Sequence, residues 1–436
     1  ISLQSDKGRI SGEASFVLER AEVKSVSVSN AAFDAQVDAA DVGDGPMTLS
    51  WKGEIADSAF PGGKLSAART EGEASFTELP SLSAADIMAV LTKAAFTLET
   101  STISRGGYGA DAMTLTAQLT GDTGNIGGPV SVNAVRAVAP QGGADRLASQ
   151  GMFSRSAEGT LLYAGDASAS GAHVTPSLSK DLTSPLVFPG ALADHGTSLR
   201  AAITRALVDF DLDMELSAGS RDGIFSFSSR EQTVLEAKSG LRLRVTPPDV
   251  GPWLAIRGTE RKVSGNIALS GGGAPTLNLS LDQFRQDASG LALKSHALKL
   301  NPWPAGGKVV SADLKAFDLT NGPASFDLLS RGRLSLSGSI SGIDLKDTNI
   351  VGGLHVTRDD AGWQVTPDGA KCVSVNSQGF VFGSIQGKPV NLNVCPSGGE
   401  FIRRGGKSPS GAVTLGTVEL PFSTGSTSGT MKLTKT

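Results

Sequence analysis

The sequence predicts an all-β protein, mostly antiparallel, with one or two short helices. Segments in which apolar and polar residues alternate recur from residue 14 to the end of the chain, and a period of two is typical of a sheet with one apolar face. Glycine makes up 54 of the 436 residues, which suits many strands joined by tight turns. No helical pattern separates successive strands, so a parallel sheet with helical crossovers is disfavoured.

The first helix is predicted near residues 83–95, after alternating segments between residues 14 and 78. Here the apolar period changes from two to that of a helix. Ser83 is suited to cap the N-terminus of this helix. The apolar residues that share one helical face are Ile87, Val90, Leu91 and Ala94.

The second helix is predicted near residues 197–210. Gly196 fits poorly inside a helix, so the helix is expected to begin at Thr197 or Ser198. Its apolar stripe is expected either to pack onto the sheet and line or plug a groove, or to cap one end of a sandwich. The residues at helical spacing are Leu192, Leu199, Ile203, Ala206, Leu207 and Phe210.

Three prolines between residues 245 and 253 mark the best internal boundary, although this segment also fits a wide turn. The boundary separates a predicted N-terminal region, residues 1–245, which holds both helices, from a predicted C-terminal region, residues 246–436. In the C-terminal region the alternation is strict. One face is expected to carry Leu277, Leu279 and Leu281, and the other Asn278, Ser280 and Asp282.

The only two cysteines, Cys372 and Cys395, lie in strand-like segments that flank a hairpin-like stretch. Antiparallel pairing of these segments brings the two within disulfide range, so a disulfide is predicted. A disulfide indicates an oxidising compartment such as a bacterial periplasm. The alternative is a pair of buried free thiols.

Composition and motifs disfavour several functions. The net charge is −4 without a basic stripe, which argues against nucleic-acid binding. The four histidines are scattered and lack metal-ligand spacing, and no nucleophile or phosphate-loop motif is present, so we expect neither an enzyme nor a metal or cofactor site.

No stretch approaches the ~20 apolar residues of a membrane-spanning helix, and no signal peptide opens the sequence. Because the chain begins within a strand-like segment, we expect it to be a portion of a longer protein.

The chain resembles the AsmA-like superfamily of proteobacterial envelope proteins, and within it the YdbH branch. The likeness lies in strands punctuated by glycine and serine, such as LSGSISGIDL (336–345), and in the helix-then-strand stretch TSPLVFPGALADHGTSLRAAITRALVDFDLDMEL (183–216). The third feature is the pair of segments KCVSV and LNVCP around the two cysteines.

This resemblance implies a long twisted sheet curled into an elongated groove, often called a β-taco. It also implies a location in the bacterial periplasm, an inner-membrane anchor in the full-length protein, and transport of phospholipid to the outer membrane. Family membership supplies no catalytic residues.

An apolar face on this many strands must be covered, either by the protein itself or by lipid chains. We therefore predict a non-enzymatic, bridge-like lipid transfer protein whose partners are phospholipid and, through segments outside this chain, the two membranes. The alternatives are β-sandwiches or a stalk of an envelope protein, and a scaffold for outer-membrane protein assembly. The predicted lipid-binding residues are Leu277, Leu279, Leu281, Leu291, Leu293, Leu298, Leu300, Leu334 and Leu336.

Overall fold

The protein is almost entirely antiparallel β-sheet, as the sequence predicts. Among the residues described below, no helix combines the length and apolar character needed to cross a membrane. The structure is a computed structural model, and it describes residues 2–6, 9–23, 26–40, 45–78, 87, 89–122, 124–184, 186, 192–287, 290–322, 325–340, 342–360, 362–369, 371–404, 410–415 and 418–433.

The chain divides into two compact units. The first unit consists of Ile1–Lys180 and Leu207–Leu235, and the second of Asp181–Ala206 and Glu236–Thr436. A helical segment therefore belongs to the second unit, although the strands that precede and follow it in the chain belong to the first.

In the first unit, each long strand pairs with the next strand along the chain, which forms an antiparallel meander. Most of these strands have 14 or 15 residues. The strands are β1 (Ser2–Asp6), β2 (Arg9–Val23), β3 (Val26–Ala39), β4 (Met47–Phe60), β5 (Gly63–Phe76), β6 (Leu91–Arg105), β7 (Tyr108–Asp122), β8 (Asn125–Ala139), β9 (Gly142–Arg155), β10 (Leu161–Val174), β11 (Phe210–Arg221) and β12 (Ile224–Ser228).

The second unit continues the hairpin pattern and then divides into shorter strands. The 17-residue strand β21 (Ile343–Asp359) pairs along its length with three short strands, β22 (Gly362–Pro367), β23 (Val373–Ser377) and β24 (Gly379–Phe382). Preceded by β13 (Thr233–Ala237), these strands are β14 (Arg242–Thr246), β15 (Leu254–Arg257), β16 (Glu260–Ser270), β17 (Leu277–Asp287), β18 (Gly290–Ala305), β19 (Lys308–Asn321), β20 (Phe326–Ile340), β21 (Ile343–Asp359), β22 (Gly362–Pro367), β23 (Val373–Ser377), β24 (Gly379–Phe382), β25 (Ile385–Gly387), β26 (Val390–Pro396), β27 (Ile402–Arg404), β28 (Val413–Leu415), β29 (Val418–Thr424) and β30 (Thr427–Leu433).

The prediction of a helix near residues 83–95 is wrong for the second half of that segment. Residues 87, 89 and 90 are helical, but β6 begins at Leu91, and Ala94 lies inside that strand. Residues 83–86, with the predicted cap, lie outside the described residues. Ladder pairing on both sides of β6 outweighs the helical spacing, because Ala94 lies opposite Ala74 of β5 and opposite Leu119 of β7.

The second predicted helix is shifted along the chain. Helix α2 spans Ala193–Ala206 rather than 197–210, and Phe210 already belongs to β11. Gly196 lies inside the helix and is buried. A shorter helix that the sequence did not predict, α1 (Pro176–Thr183), precedes it and begins with a proline, whose fixed φ suits the first helical position.

Candidate functional site

The second unit brings the nine predicted leucines onto one face of its sheet. Leu277 lies opposite Leu300, and Leu279 opposite Leu298. Directly opposed residues of antiparallel strands point to the same side. The same register places Leu281 opposite Ser295, Leu293 opposite Phe284, Leu291 opposite Gln286, Leu334 opposite Ala312, and Leu336 opposite Val310.

Two apolar rows cross nine strands each on this face. At ~4.8 Å between neighbouring strands, each row extends over ~38 Å. The first row is Leu243, Leu269, Leu277, Leu300, Ala312, Leu334, Ile350, Val375 and Leu392. The second is Leu254, Val263, Phe284, Leu293, Leu319, Leu328, Val356, Val365 and Ile402.

Most of this face is only partly covered by protein. Of the nine predicted leucines, Leu281 alone is buried, at 5% exposure, and the other eight are half-buried. Core leucines in a closed sandwich are fully enclosed between two sheets. Within the part of the chain that the structure describes, eight of these nine leucines are therefore less covered than the core leucines of a closed sandwich.

The opposite face is polar, as the alternation predicts. Asn278, Lys299 and Asp313 form a cross-strand row there, and all three are exposed. Asp282 does not follow the simple alternation because it lies at a β-bulge. There its carboxylate Oδ1 lies 2.6 Å from Nδ1 of His296.

A line of bulges bends the sheet between the two apolar rows. The ladder skips a residue at Asp282, at His296 and at Lys315 on three successive strands. The buried Ser295 hydroxyl donates hydrogen bonds to the carbonyls of Ser280 and Ala297 at this point. Bulges bend a strand and increase its twist, so the two rows lie on either side of a bend.

Helix α2 covers one end of the apolar face. Ala202 and Ala206 are buried, and the His195 ring, also buried, stacks edge-on against Trp303 with 4.9 Å between the centroids. His195 Nε2 lies 3.1 Å from the Trp303 carbonyl. Trp303 lies opposite Val310, on the apolar face. The predicted stripe residues Leu199 and Ile203 are only half-buried.

An ion pair holds the first turn of this helix. Lys308 Nζ donates a hydrogen bond of 2.8 Å to Asp194 Oδ2. This bond and the positive charge of Lys308 lower the pKa of the Asp194 carboxyl below its ordinary value. The last turn is held by Arg205, which donates to the Gly272 carbonyl at 3.2 Å.

The other end of the face carries aromatic and basic side chains. Phe326, Arg358 and Trp363 lie opposite one another on β20, β21 and β22. The Phe326 and Trp363 rings are 5.2 Å apart, and the Arg358 guanidinium lies 5.7 Å from the Trp363 centroid. The face is thus bounded by a helix at one end and by an aromatic–arginine group at the other.

The first unit also carries buried apolar side chains. Its buried cluster is centred on Phe76, Leu91, Leu119 and Ile126, with Trp51 packed against it. Residues with left-handed backbone conformation interrupt its strands at Asn30, Ala67, Ala112 and Arg136. An apolar pocket of about 500 Å³ lies beside Ala112 and Arg136 and is lined by Ile103, Ala110, Met113, Val132, Ala134 and Leu147, among others.

The predicted disulfide is present. Val373 of β23 lies opposite Val394 of β26, so the adjacent Cys372 and Cys395 face each other across the ladder. They form a disulfide, with their Cα atoms 4.2 Å apart. The disulfide indicates a non-reducing, extracytoplasmic compartment.

No protein-family model, curated protein or solved structure matches the chain. The resemblance to the AsmA-like superfamily therefore stays a prediction. Within the described residues, no three His, Cys, Asp or Glu side chains converge where a metal ion could bind. The chemistry that the site offers is burial of apolar ligand surface.

Several residues of this face were not predicted. Phe284 and Phe317 join it only because bulges break the alternation, and Trp303 joins it across a further register shift. Their aromatic character was the available signal, but period two assigns them to a face only after the bulges are located.

Proposed function

We propose that this chain is a lipid-holding segment of a periplasmic, bridge-like transfer protein. Phospholipid acyl chains lie on the apolar face of the sheet and move along it between the inner and outer membranes. The full-length protein is anchored in the inner membrane, and segments outside this chain reach the membranes. The chain performs no catalysis and binds no nucleic acid.

The continuous, half-buried apolar face of the second unit carries the proposal. Leu279 shows why: it lies between Ile267 and Leu298 in the ladder and remains partly exposed. Water against such a surface is unfavourable by ~25 cal/mol per Å² of apolar area, and an acyl chain gains ~0.8 kcal/mol for each CH₂ that it buries. Acyl chains therefore suit this face without any polar recognition group.

Photocrosslinking tests the proposal at two adjacent positions. A photoreactive amino acid replaces Leu279 on the apolar face or Ser280 on the polar face, and the protein is irradiated in cells that export it. We expect phospholipid adducts at Leu279 and none at Ser280, measured by mass spectrometry of the purified protein.

The same experiment separates the alternatives. Adducts at neither position, in protein with wild-type melting behaviour, would contradict lipid holding and favour a scaffold. Adducts with protein at Leu279 would identify a partner chain as the cover of the face. Equal lipid adducts at both positions would indicate non-specific contact with membrane.

A further inference from the structure

The aromatic–arginine group at the end of the apolar face forms a ladder across adjacent strands. Phe326 of β20, Arg358 of β21 and Trp363 of β22 are successive register partners, and Arg404 of β27 occupies the next position. The Arg358 guanidinium is held against the Trp363 ring, an arrangement that orients a cation while leaving its outer edge free to bind. Trp363 is 38% exposed, and Arg358 is exposed.

Arg358 differs from the charged residues around it because no carboxylate pairs with it within the described residues of the chain. On the opposite face of the same strands, His355 contacts Asp327 at 3.1 Å, and Arg403 contacts Glu400 at 3.0 Å. Each of these side chains therefore has a carboxylate partner in the chain itself. The positive charge on the apolar face is available to an anion from outside the protein.

The ladder directly adjoins the second apolar row. Leu328, Val356 and Val365 each lie two residues from a ladder member on the same strand and therefore on the same face. A ligand that contacts both features must carry an anionic group and an apolar chain within a few ångströms of each other.

We infer that Phe326, Arg358 and Trp363 form a binding site for the phosphate of a lipid headgroup, with the acyl chains lying on the row of Leu328, Val356 and Val365. Arg358 donates charge-assisted hydrogen bonds to the phosphate oxygens, and the two aromatic rings contact the glycerol region. This inference rests on the proposed lipid-holding function. It adds that lipid is held in one orientation, with its headgroup at the ladder.

The test compares two probes with identical fluorescent acyl chains, phosphatidylglycerol and diacylglycerol, captured from vesicles by the purified chain. We expect Arg358→Gln and Trp363→Leu to weaken phosphatidylglycerol capture about tenfold, which equals ~1.4 kcal/mol, and to leave diacylglycerol capture unchanged. Arg333→Gln is the matched control. Arg333 is an exposed arginine on the polar face of β20, opposite Asp313.

Each other outcome has a distinct meaning. If Arg358→Gln weakens capture of both lipids equally, or changes capture of neither, the inferred headgroup site is wrong. The proposed lipid-holding function then still stands. If the wild-type chain captures neither lipid, the proposed function itself fails.

Inorganic phosphate distinguishes the source of the anion. Suppose that phosphate alone changes the tryptophan fluorescence and that Arg358→Gln abolishes this change. If the chain then shows no preference for phosphatidylglycerol over diacylglycerol, the site binds free phosphate and the lipid assignment is overturned. Melting curves confirm that each variant is folded. Arg358→Lys, which keeps the charge but not the planar stacking, should restore only a fraction of the preference.

Discussion

Pairs of glycine with an aromatic residue recur across neighbouring strands. In each pair the aromatic ring lies over a glycine directly opposite it, where a Cβ atom would collide with the ring or, at Gly429, press against it. These pairs account for some of the high glycine content and allow rings to lie flat on the sheet. They are Phe33 with Gly53, Trp51 with Gly72, Phe60 with Gly63, Phe380 with Gly387, and Phe422 with Gly429.

Replacing Gly72 with alanine tests this pairing. The new Cβ would lie 2.6 Å from Trp51 Cζ2 and 2.7 Å from the Ala95 carbonyl, so the ring or the backbone must shift. We expect the free energy of unfolding to fall by ~1–3 kcal/mol, the usual cost of overpacking. Chemical denaturation monitored by tryptophan fluorescence measures it.

Gly398→Ala is the control, because nothing lies within 4 Å of a Cβ built there. Its stability should match that of the wild type. Equal melting of Gly72→Ala and wild type would show that the Trp51 ring and the Ala95 carbonyl both move aside without loss of stability.

At the scale of elements, helix α2 is attached to the sheet by few but specific contacts. Buried Ala202 and Ala206 allow close approach to the sheet, and His195 fixes the helix at Trp303. The ion pair between Asp194 and Lys308 adds an electrostatic anchor in the first turn, where a carboxylate also interacts favourably with the helix dipole.

We expect this anchor to weaken at acid pH. The pKa of Asp194 is lowered in the folded state by the hydrogen bond and charge of Lys308, so its contribution to stability is present above the unfolded-state pKa of ~3.9 and is lost as pH falls through the lower folded-state value. At neutral pH, Asp194→Asn should increase hydrogen exchange of the α2 amides relative to wild type.

The difference between Asp194→Asn and wild type should shrink as pH falls through the lowered pKa of the Asp194 carboxyl, because the wild-type side chain then also becomes neutral. Amides of β2, in the other unit, serve as the internal reference. A difference that persists unchanged in acid would show that the asparagine acts through packing and not through lost charge.

The pattern of the long strands was predictable because most of them pair with their neighbours in sequence, so local alternation decides which face a residue joins. Leu277, Leu279 and Leu281 illustrate this. Local alternation does not predict the face where bulges reset the period, as between Leu281 and Phe284. It also fails at Leu91 and Ala94, whose spacing fits a helix and a strand equally well until the partner strands are known.

The aromatic–arginine group at the end of the apolar face shows a second limit of prediction from the sequence. Arg358 and Trp363 flank one hairpin, so their pairing could be read locally. Phe326 lies on the preceding strand, and its alignment with them depends on the register of a longer hairpin. Such groups form across strands, and single-strand patterns do not contain them.

On the scale of the whole molecule, few of the large apolar side chains that the structure describes are fully buried. Among the described residues, twelve of the 21 buried apolar residues are alanine, so the larger apolar side chains remain mostly half-covered. A sheet of this kind is stable through its ladders and same-face contacts, while its apolar face stays available to a ligand.

A charge placed on that face separates an open surface from a closed core. Leu279→Glu should lower the free energy of unfolding by only ~1–2 kcal/mol, because Leu279 is half-buried and water can reach the new carboxylate. An unpaired charge inside a closed core costs several kcal/mol and unfolds the domain. The same carboxylate should repel acyl chains, so phospholipid extracted with the purified variant should fall several-fold.

Asn278→Glu provides the matched control, since Asn278 is the exposed neighbour on the polar face. It adds the same charge one residue away and should leave both melting and extracted phospholipid unchanged. Unfolding of Leu279→Glu would assign these leucines to a closed core. A folded Leu279→Glu that still carries the wild-type amount of phospholipid would place the lipid elsewhere, with the apolar pocket of the first unit as the next site to test.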